Sequence, residues 1–186
     1  MPRVATLTQR RKIYVVAKTP VSFDVNLPSY ISGYVDGEGC FTLSFSKRMK
    51  MRGGWEVRPS FSVSQNADRG EVLLEIQEYF RCGTIRPDRS DKTIKFEVRS
   101  IANLVDLVIP HFERYPMRSS KQRDFEFFAR VCQLVRGGEH LSPDGFHKVV
   151  DLATQMNSSG RRKFTANEML DSSRLRVIVS ASRNGG

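Results

Sequence analysis

The chain has 186 residues, and 30 Lys and Arg against 20 Asp and Glu give it a formal charge of +10 and a pI near 9.9. That length builds one sizeable core, and that charge attracts polyanions before any specific contact forms, which ranks nucleic acid ahead of an anionic lipid surface as the partner. No run approaches the ~20 apolar residues that span a bilayer, and the three widely spaced cysteines Cys40, Cys82 and Cys132 make neither a disulfide framework nor a zinc cluster, which fits a reducing compartment.

Residues 1–27 are basic, with Arg3, Arg10, Arg11, Lys12 and Lys18 against Asp24. The run "YVVAKTPVSFDV" reads as extended and Pro20 interrupts it, so an amphipathic targeting helix is not evident and a phosphate-contacting arm or an extra packed segment is the preferred reading of this N-terminal extension. One domain is expected over 28–186. Pro28 suits the first turn of a helix running to about Asp36. The period then changes from helical to alternating: Phe41 to Ser46 and Val57 to Ser64 each alternate apolar residues with polar ones, and the basic, Gly-bearing "KRMKMRGGW" joins these two strands.

Asp68 or Asn66 is expected to open a helix with Val72, Leu73, Ile76, Tyr79 and Phe80 on one face, closed by Gly83. Short strands follow at Thr84 to Arg86 and Thr93 to Val98. Helices are expected over Ile101 to Ile109 and Lys121 to Val135, from Ser142-Pro143-Asp144 to about Met156, and again from Thr165. The order α-β-β-α-β-β-α with further C-terminal helices makes an α+β domain with one mostly antiparallel four-stranded sheet.

One face of these strands is polar. Thr42, Ser44, Ser46 and Arg48 share it with Arg58, Ser60, Ser62 and Ser64, and Thr84, Arg86 and Lys95 extend it. Half of such faces simply meet solvent. On a strongly basic chain, a face of hydroxyls and guanidiniums also suits groove readout, because hydroxyls reach base edges and Arg pairs with guanine. With Arg161, Arg162 and Lys163 of "GRRKF", these are the candidate DNA-binding residues.

The stretch "YISGYVDGEGCF" (30–41) weakens a helix with glycine and then crowds acids at its end. Ser29, Gly33 and Gly37 recur every four residues and so share one side of the helix, where bare backbone lets a second helix approach closely. Each internal Gly costs about 1 kcal/mol relative to Ala. Glu38 then stands beside the exposed carbonyls of a helix C-terminus, a poor place for an unpaired acid and a good one for a divalent cation. A plain helix-ending turn competes with this reading. An EF-hand start fails, because Cys40 and Lys47 fall at positions that need oxygen ligands, and a dinucleotide fingerprint fails because a helix precedes the glycines.

"ISGYVDGEG" resembles the LAGLIDADG motif of homing endonucleases, with Gly33, Asp36 and Gly39 matching outright. "FSVSQNADR" is similar to the strand-end segment of the single-motif, homodimeric branch, "MRSSKQRDF" to the stretch with its active-site lysine, and "LSPDGF" to the start of its C-terminal helical region. The resemblance spans Pro28 to Leu170. It implies that Glu38 holds metal beside the Gly37 carbonyl, that Gln65 and Arg69 organise water and phosphate, and that Lys121 is the active-site lysine.

It further implies a site-specific double-strand DNA endonuclease of the αββαββα fold that uses Mg²⁺ or another divalent cation such as Mn²⁺. A homodimer would pair the Ser29, Gly33 and Gly37 stripes, bring both Glu38 side chains to the centre and cut each strand of a pseudo-palindromic site once. No small-molecule substrate and no membrane enter this reading, and an organelle or a bacterial cytoplasm is the expected compartment. The alternatives are a non-cleaving DNA-binding regulator or an intron-RNA maturase on the same fold, and a basic scaffold protein without sequence preference.

Overall fold

The computed structural model describes residues 4–9, 12–17, 26–51, 53–88, 92–156 and 163–171. An antiparallel hairpin comes first, β1 (Val4–Gln9) and β2 (Lys12–Ala17), where the sequence promised only an extended segment. Then follow α1 (Leu27–Glu38), β3 (Gly39–Lys47), β4 (Trp55–Asn66), α2 (Glu71–Phe80), β5 (Thr84–Pro87) and β6 (Thr93–Val98). The remaining described elements are helical: α3 (Ile101–Asn103), a π-helical stretch (Leu104–Val108), α4 (Ile109–Arg114), α5 (Lys121–Arg136), α6 (Pro143–Gln155) and α7 (166–171). The fold is α+β, with one antiparallel four-stranded sheet in the order β3-β4-β6-β5. No helix among the described residues is long and apolar enough to cross a membrane.

The chain forms two compact units, Met1–Cys40 with Phe61–Ser119 and Phe41–Ser60 with Ser120–Gly186. Neither is one continuous stretch, which is why no shift in composition marks them. In the first unit, Asn26 caps α1 by accepting from the Ser29 amide, and Pro28 occupies the first turn. Ile31 and Val35 of α1 are buried, as are Phe61 and Val63 of β4, Leu73, Ile76 and Phe80 of α2, and Ile94, Phe96 and Val98 of β6. Phe61 meets Phe80, Phe96 and Phe112 edge to face, with ring centroids 5.5–6.1 Å apart.

Two local expectations for this unit need correction. Asn66 and Asp68 do not open α2. They fall at the start of and within a 3₁₀ turn (Ala67–Arg69), and the helix begins after Gly70, where a Cβ would lie 2.2 Å from Ile94 Cδ1. The helix from Ile101 does not stop at Ile109. Pro110 has no amide hydrogen to donate, the turn before it widens so that the Ile109 amide reaches the Leu104 carbonyl, and the helix continues to Arg114.

A buried polar chain also ties α1 into this unit. The Ser32 hydroxyl donates to the Tyr115 carbonyl at 2.6 Å, so it accepts from His111 Nε2 at 3.2 Å, and His111 Nδ1 accepts from the Tyr79 hydroxyl at 2.9 Å. Every hydrogen in the chain thus has one direction, and His111 is neutral.

In the second unit, Phe41 packs on Phe125 and Phe128 of α5, and Trp55 stacks on Phe146 of α6 with Phe164 edge-on at 4.9 Å. Val131, Cys132, Val149, Val150 and Ala153 complete this core. The "LSPDGF" expectation holds at the level of the helix start: the Ser142 hydroxyl accepts from the Gly145 amide, Pro143 is in the first turn, and α6 ends at Gln155. Glu168 and Thr165 cap the last described helix reciprocally, with the Thr165 amide donating to the Glu168 carboxylate and the Glu168 amide to the Thr165 hydroxyl.

Burial holds the His111 imidazole at a pKa of about 4, against an ordinary value of 6.5. The sign follows from that depression. The neutral ring contributes its full stabilisation above pH 6.5, and the contribution is lost as pH falls towards 4, by up to about 1.4 kcal/mol per unit. Thermal melts across this window should show Tm falling with pH in the native chain. His111→Gln should lower Tm throughout and flatten the slope.

Candidate active site and nucleic-acid interface

Helix α1 runs two residues further than its sequence pattern indicated and ends on Glu38, and β3 begins at the next residue, Gly39. The Gly39 amide donates to the Val35 carbonyl, and a Cβ on Gly39 would lie 2.4 Å from Val35 Cγ1 and 2.7 Å from that carbonyl oxygen. Only glycine permits so direct a passage from helix to strand. Glu38 is exposed, no basic residue stands in the last turn of α1, and the carboxylate makes no hydrogen bond or ion pair among the described residues.

Its chemistry fits a hard divalent cation: an open carboxylate oxygen at the negative end of a helix. No cluster of three or more His, Cys, Asp or Glu that could hold a metal occurs among the described residues. Glu38, with the carbonyl of Gly37 next to it, would therefore be a partial site that phosphate, water or a second copy completes.

Gln65 is brought to the same helix. Its Nε2 donates to the Tyr34 hydroxyl at 2.5 Å, and its Oε1 accepts from the Asn66 amide at 2.7 Å. Tyr34 lies one turn before Glu38. Partial burial first, and then the nearby Glu38 and Glu71 charges, push its phenol above the usual range despite the hydrogen bond from Gln65, so it stays protonated. Arg69 is exposed at the end of the 3₁₀ turn that follows β4. Lys121 is the first residue of α5, in the second unit.

Asp36 has a structural task that its place in the motif did not reveal. Its carboxylate accepts from the amides of Arg118 and Ser119, each at 3.0 Å, and from the Ser119 hydroxyl. The motif's first acid is thus spent on pinning a loop, and Glu38 remains open. Ser29, Gly33 and Gly37 are exposed, and a Cβ at Gly33 or Gly37 would meet nothing within 4 Å. No contact among the described residues demands glycine there. A groove of about 540 Å³ runs along this side of α1, between Ser29, Gly33 and Asp36 and the segment Arg114 to Arg118.

The polar sheet face is present but differs from its sequence picture in charge. In the second unit Thr42, Ser44 and Ser46 of β3 alternate with buried Phe41 and Leu43, and Arg58 and Ser60 of β4 with buried Val57 and Pro59. Glu56 stands on this face too. It accepts from Arg58 at 2.5 Å and from the Ser46 hydroxyl at 3.3 Å, and pairs with Arg48 Nε at 3.3 Å. The Arg58 hydrogen bond, with Arg48 beside it, holds the Glu56 carboxyl below its ordinary range.

In the first unit Ser64 stands opposite Lys95, and Ser62 opposite Glu97. Ser62 is only 8% exposed, which corrects its placement as an open readout hydroxyl. Arg86 binds Glu97 at 2.8 Å, and Lys95 lies 3.7 Å from Asp88. The four basic candidates of the sheet therefore each face an acid. Thr84 at the start of β5 is exposed. Lys163 lies over the Phe164 ring, whereas Arg161 and Arg162 fall outside the described residues.

Sequence reasoning did not find the contacts of Tyr34, Asp36, Glu56, Glu97 and Arg99. Alternation along "TIKFEV" does place Glu97 on the polar face, but no local signal shows which arginines turn towards it.

A family model described as LAGLIDADG endonuclease matches residues 31–132. A probable intron-encoded endonuclease 2 of Neurospora crassa is 30% identical over 131 residues, covering 70% of this chain and 29% of that protein. The chain spans about a quarter of the length of its first curated fungal relatives, at 29%, 26% and 24%. Among solved structures, the archaeal intron-encoded homing endonuclease I-Vdi141I complexed with DNA superimposes with a TM-score of 0.76 at 27% identity, over 81% of this chain and 96% of that one. I-SmaMI bound to an uncleaved DNA target in the presence of calcium ions gives 0.71 at 27% identity, over 78% and 48%.

Replacing Asp36 by Ala should expose the Arg118 and Ser119 amides to faster hydrogen exchange and cost about 1–3 kcal/mol of stability. Amide exchange read residue by residue checks it, with Asp36→Asn restoring part of the protection.

Proposed function

Because the chain belongs to the LAGLIDADG endonuclease family, we propose that it is a site-specific DNA endonuclease that binds a long pseudo-palindromic duplex as a homodimer and cleaves each strand once with a divalent cation. The observation that carries this reading is α1 itself, which ends in an open carboxylate and bears a side of bare backbone that nothing among the described residues requires. The names of two solved relatives support the substrate: I-Vdi141I is described complexed with DNA, and I-SmaMI bound to an uncleaved target with calcium ions present. The Neurospora relative is named as intron-encoded, and an intron of an organellar or bacterial genome is the expected setting here.

In this reading Glu38 is the protein's metal-holding acid, assisted by the Gly37 carbonyl. A bound divalent cation, Mg²⁺ by the usual hard-oxygen chemistry, supplies stabilisation of the charge that builds on the attacking and leaving oxygens during phosphodiester hydrolysis. Gln65, held by Tyr34, orients water near the scissile phosphate. Arg69 and Lys121 offset developing negative charge. A second copy docks its own Ser29, Gly33 and Gly37 stripe against the first, and the two-fold axis so created makes the recognised site a pseudo-palindrome.

Glu38→Gln should abolish Mg²⁺-dependent cutting of a selected target while retaining its binding, since the change removes a negative charge as well as a metal ligand. Wild-type cutting rates in that variant would remove Glu38 from the active site, and a native chain that binds its target without cutting would favour the regulator. Gly33→Leu should separate the paired helices and yield a monomer by light scattering that has lost double-strand cleavage. A Gly33→Leu dimer of normal activity would refute the symmetric arrangement.

A further inference from the structure

Glu97 is an odd residue to find on a surface that meets a polyanion. It stands on the polar side of β6, between Ser62 of β4 and Thr84 of β5 in the ladder, and its side chain is only 10% exposed. Arg99 grips it at both oxygens: Nη2 donates to Oε1 at 3.0 Å, and Nε stands 3.0 Å from Oε2 as an ion pair. Arg86, diagonal to it across the β5–β6 pair, donates from Nη2 to Oε2 at 2.8 Å. One carboxylate therefore holds two guanidiniums, one of them at both of its oxygens. Burial opposes its ionisation, and the two arginines outweigh that, so the carboxyl lies below its ordinary range.

A carboxylate adds nothing to affinity for phosphate, because it cancels one of the two positive charges beside it. What it supplies is orientation. A free arginine side chain samples many rotamers, whereas a guanidinium docked on a fixed acid presents its remaining N–H groups in one plane. Arg99 uses Nε and one Nη2 hydrogen on Glu97, so the Nη1–Nη2 edge remains to bind the N7 and O6 acceptors of guanine. Its side chain is 68% exposed. Ser62, across the ladder, is too deeply covered to read a base itself.

Resting on the DNA-endonuclease reading above, we propose that Glu97 is a specificity-determining positioning residue, a clamp that fixes Arg86 and Arg99 so that they select guanine at the base steps they face. Glu56 makes a second grip of this kind in the other unit, where Arg58, Arg48 and the Ser46 hydroxyl converge on it.

The test is cleavage-site selection from a randomised duplex library in Mg²⁺, run on the native chain, Glu97→Gln, Arg99→Lys, Arg99→Ala and the Glu97→Gln/Arg99→Ala double variant, beside binding to random-sequence duplex. The native chain should select guanine at the positions that Arg99→Ala relaxes. Glu97→Gln should weaken that preference by about tenfold, from the discrimination one bidentate contact provides, leave the other positions parental, and raise affinity for random duplex because a negative charge is gone. Arg99→Lys keeps the charge and loses the fork, so it should relax the same positions even where the glutamine variant folds poorly. Glu97→Gln should have little further effect on the Arg99-dependent positions once Arg99 is Ala, since the clamp then has nothing to orient there.

Unchanged guanine preference in both Glu97→Gln and Arg99→Lys would overturn the clamp, and so would relaxation spread evenly over the whole site. A native chain that neither binds nor cuts any duplex would instead defeat the endonuclease reading, and the clamp with it.

Discussion

The passage from α1 into β3 without an intervening loop is the constraint on which the candidate site depends. Helix and strand meet between Glu38 and Gly39, and the meeting is possible because Gly39 has no Cβ to collide with Val35. A loop at this point would let the acid wander. With none, Glu38 stays within one helical turn of the buried Val35. The C-terminus of a helix is electrostatically the wrong end for a bare carboxylate. No basic residue of α1 stands in its last turn to offset that charge, which is why the proposed reading gives Glu38 a cation from outside.

Asp36 and Glu38, two residues apart, show how backbone geometry divides labour between like groups. Asp36 is consumed by the Arg118 and Ser119 amides and the Ser119 hydroxyl. Those amides are pinned by an ionised acceptor, and charge-assisted hydrogen bonds are the stronger kind. Tyr34 ties Gln65 to the helix on which Glu38 stands. The chain from Tyr79 through His111 to Ser32 anchors that helix from its buried side, with His111 neutral. Rigid support of this sort is what a site requires when small displacements of a reacting group are costly.

The polar face of the sheet is a balance between attraction and order. Its arginines face Glu56 and Glu97, so its effective charge is smaller than a count of basic side chains indicates. Long-range attraction to a polyanion then rests on the net charge of +10 spread over the chain, while the face itself holds cations in defined places. In the proposed reading, a surface that neutralises some of its own charge trades affinity for geometry, which separates phosphate contact from base readout.

Local chemistry determined much of this protein. Asn26 and Pro28 start α1, Ser142 and Pro143 start α6, and the alternation of "FTLSFS" and "TIKFEV" assigns each strand residue to the core or the polar side. The motif around Gly39 marks the helix-to-strand junction, because only glycine fits there. What the tertiary structure decided is which polar groups find each other. Asp36 reaches amides 82 and 83 residues away, Ser62 is covered on a face that its alternation assigned to solvent, and Glu97 collects arginines from β5 and from the end of β6. Alternation fixes the side a residue faces because backbone pleating is local. It leaves the partner open, since that depends on strand register, side-chain length and the return path of distant loops, which exist only once the chain has folded.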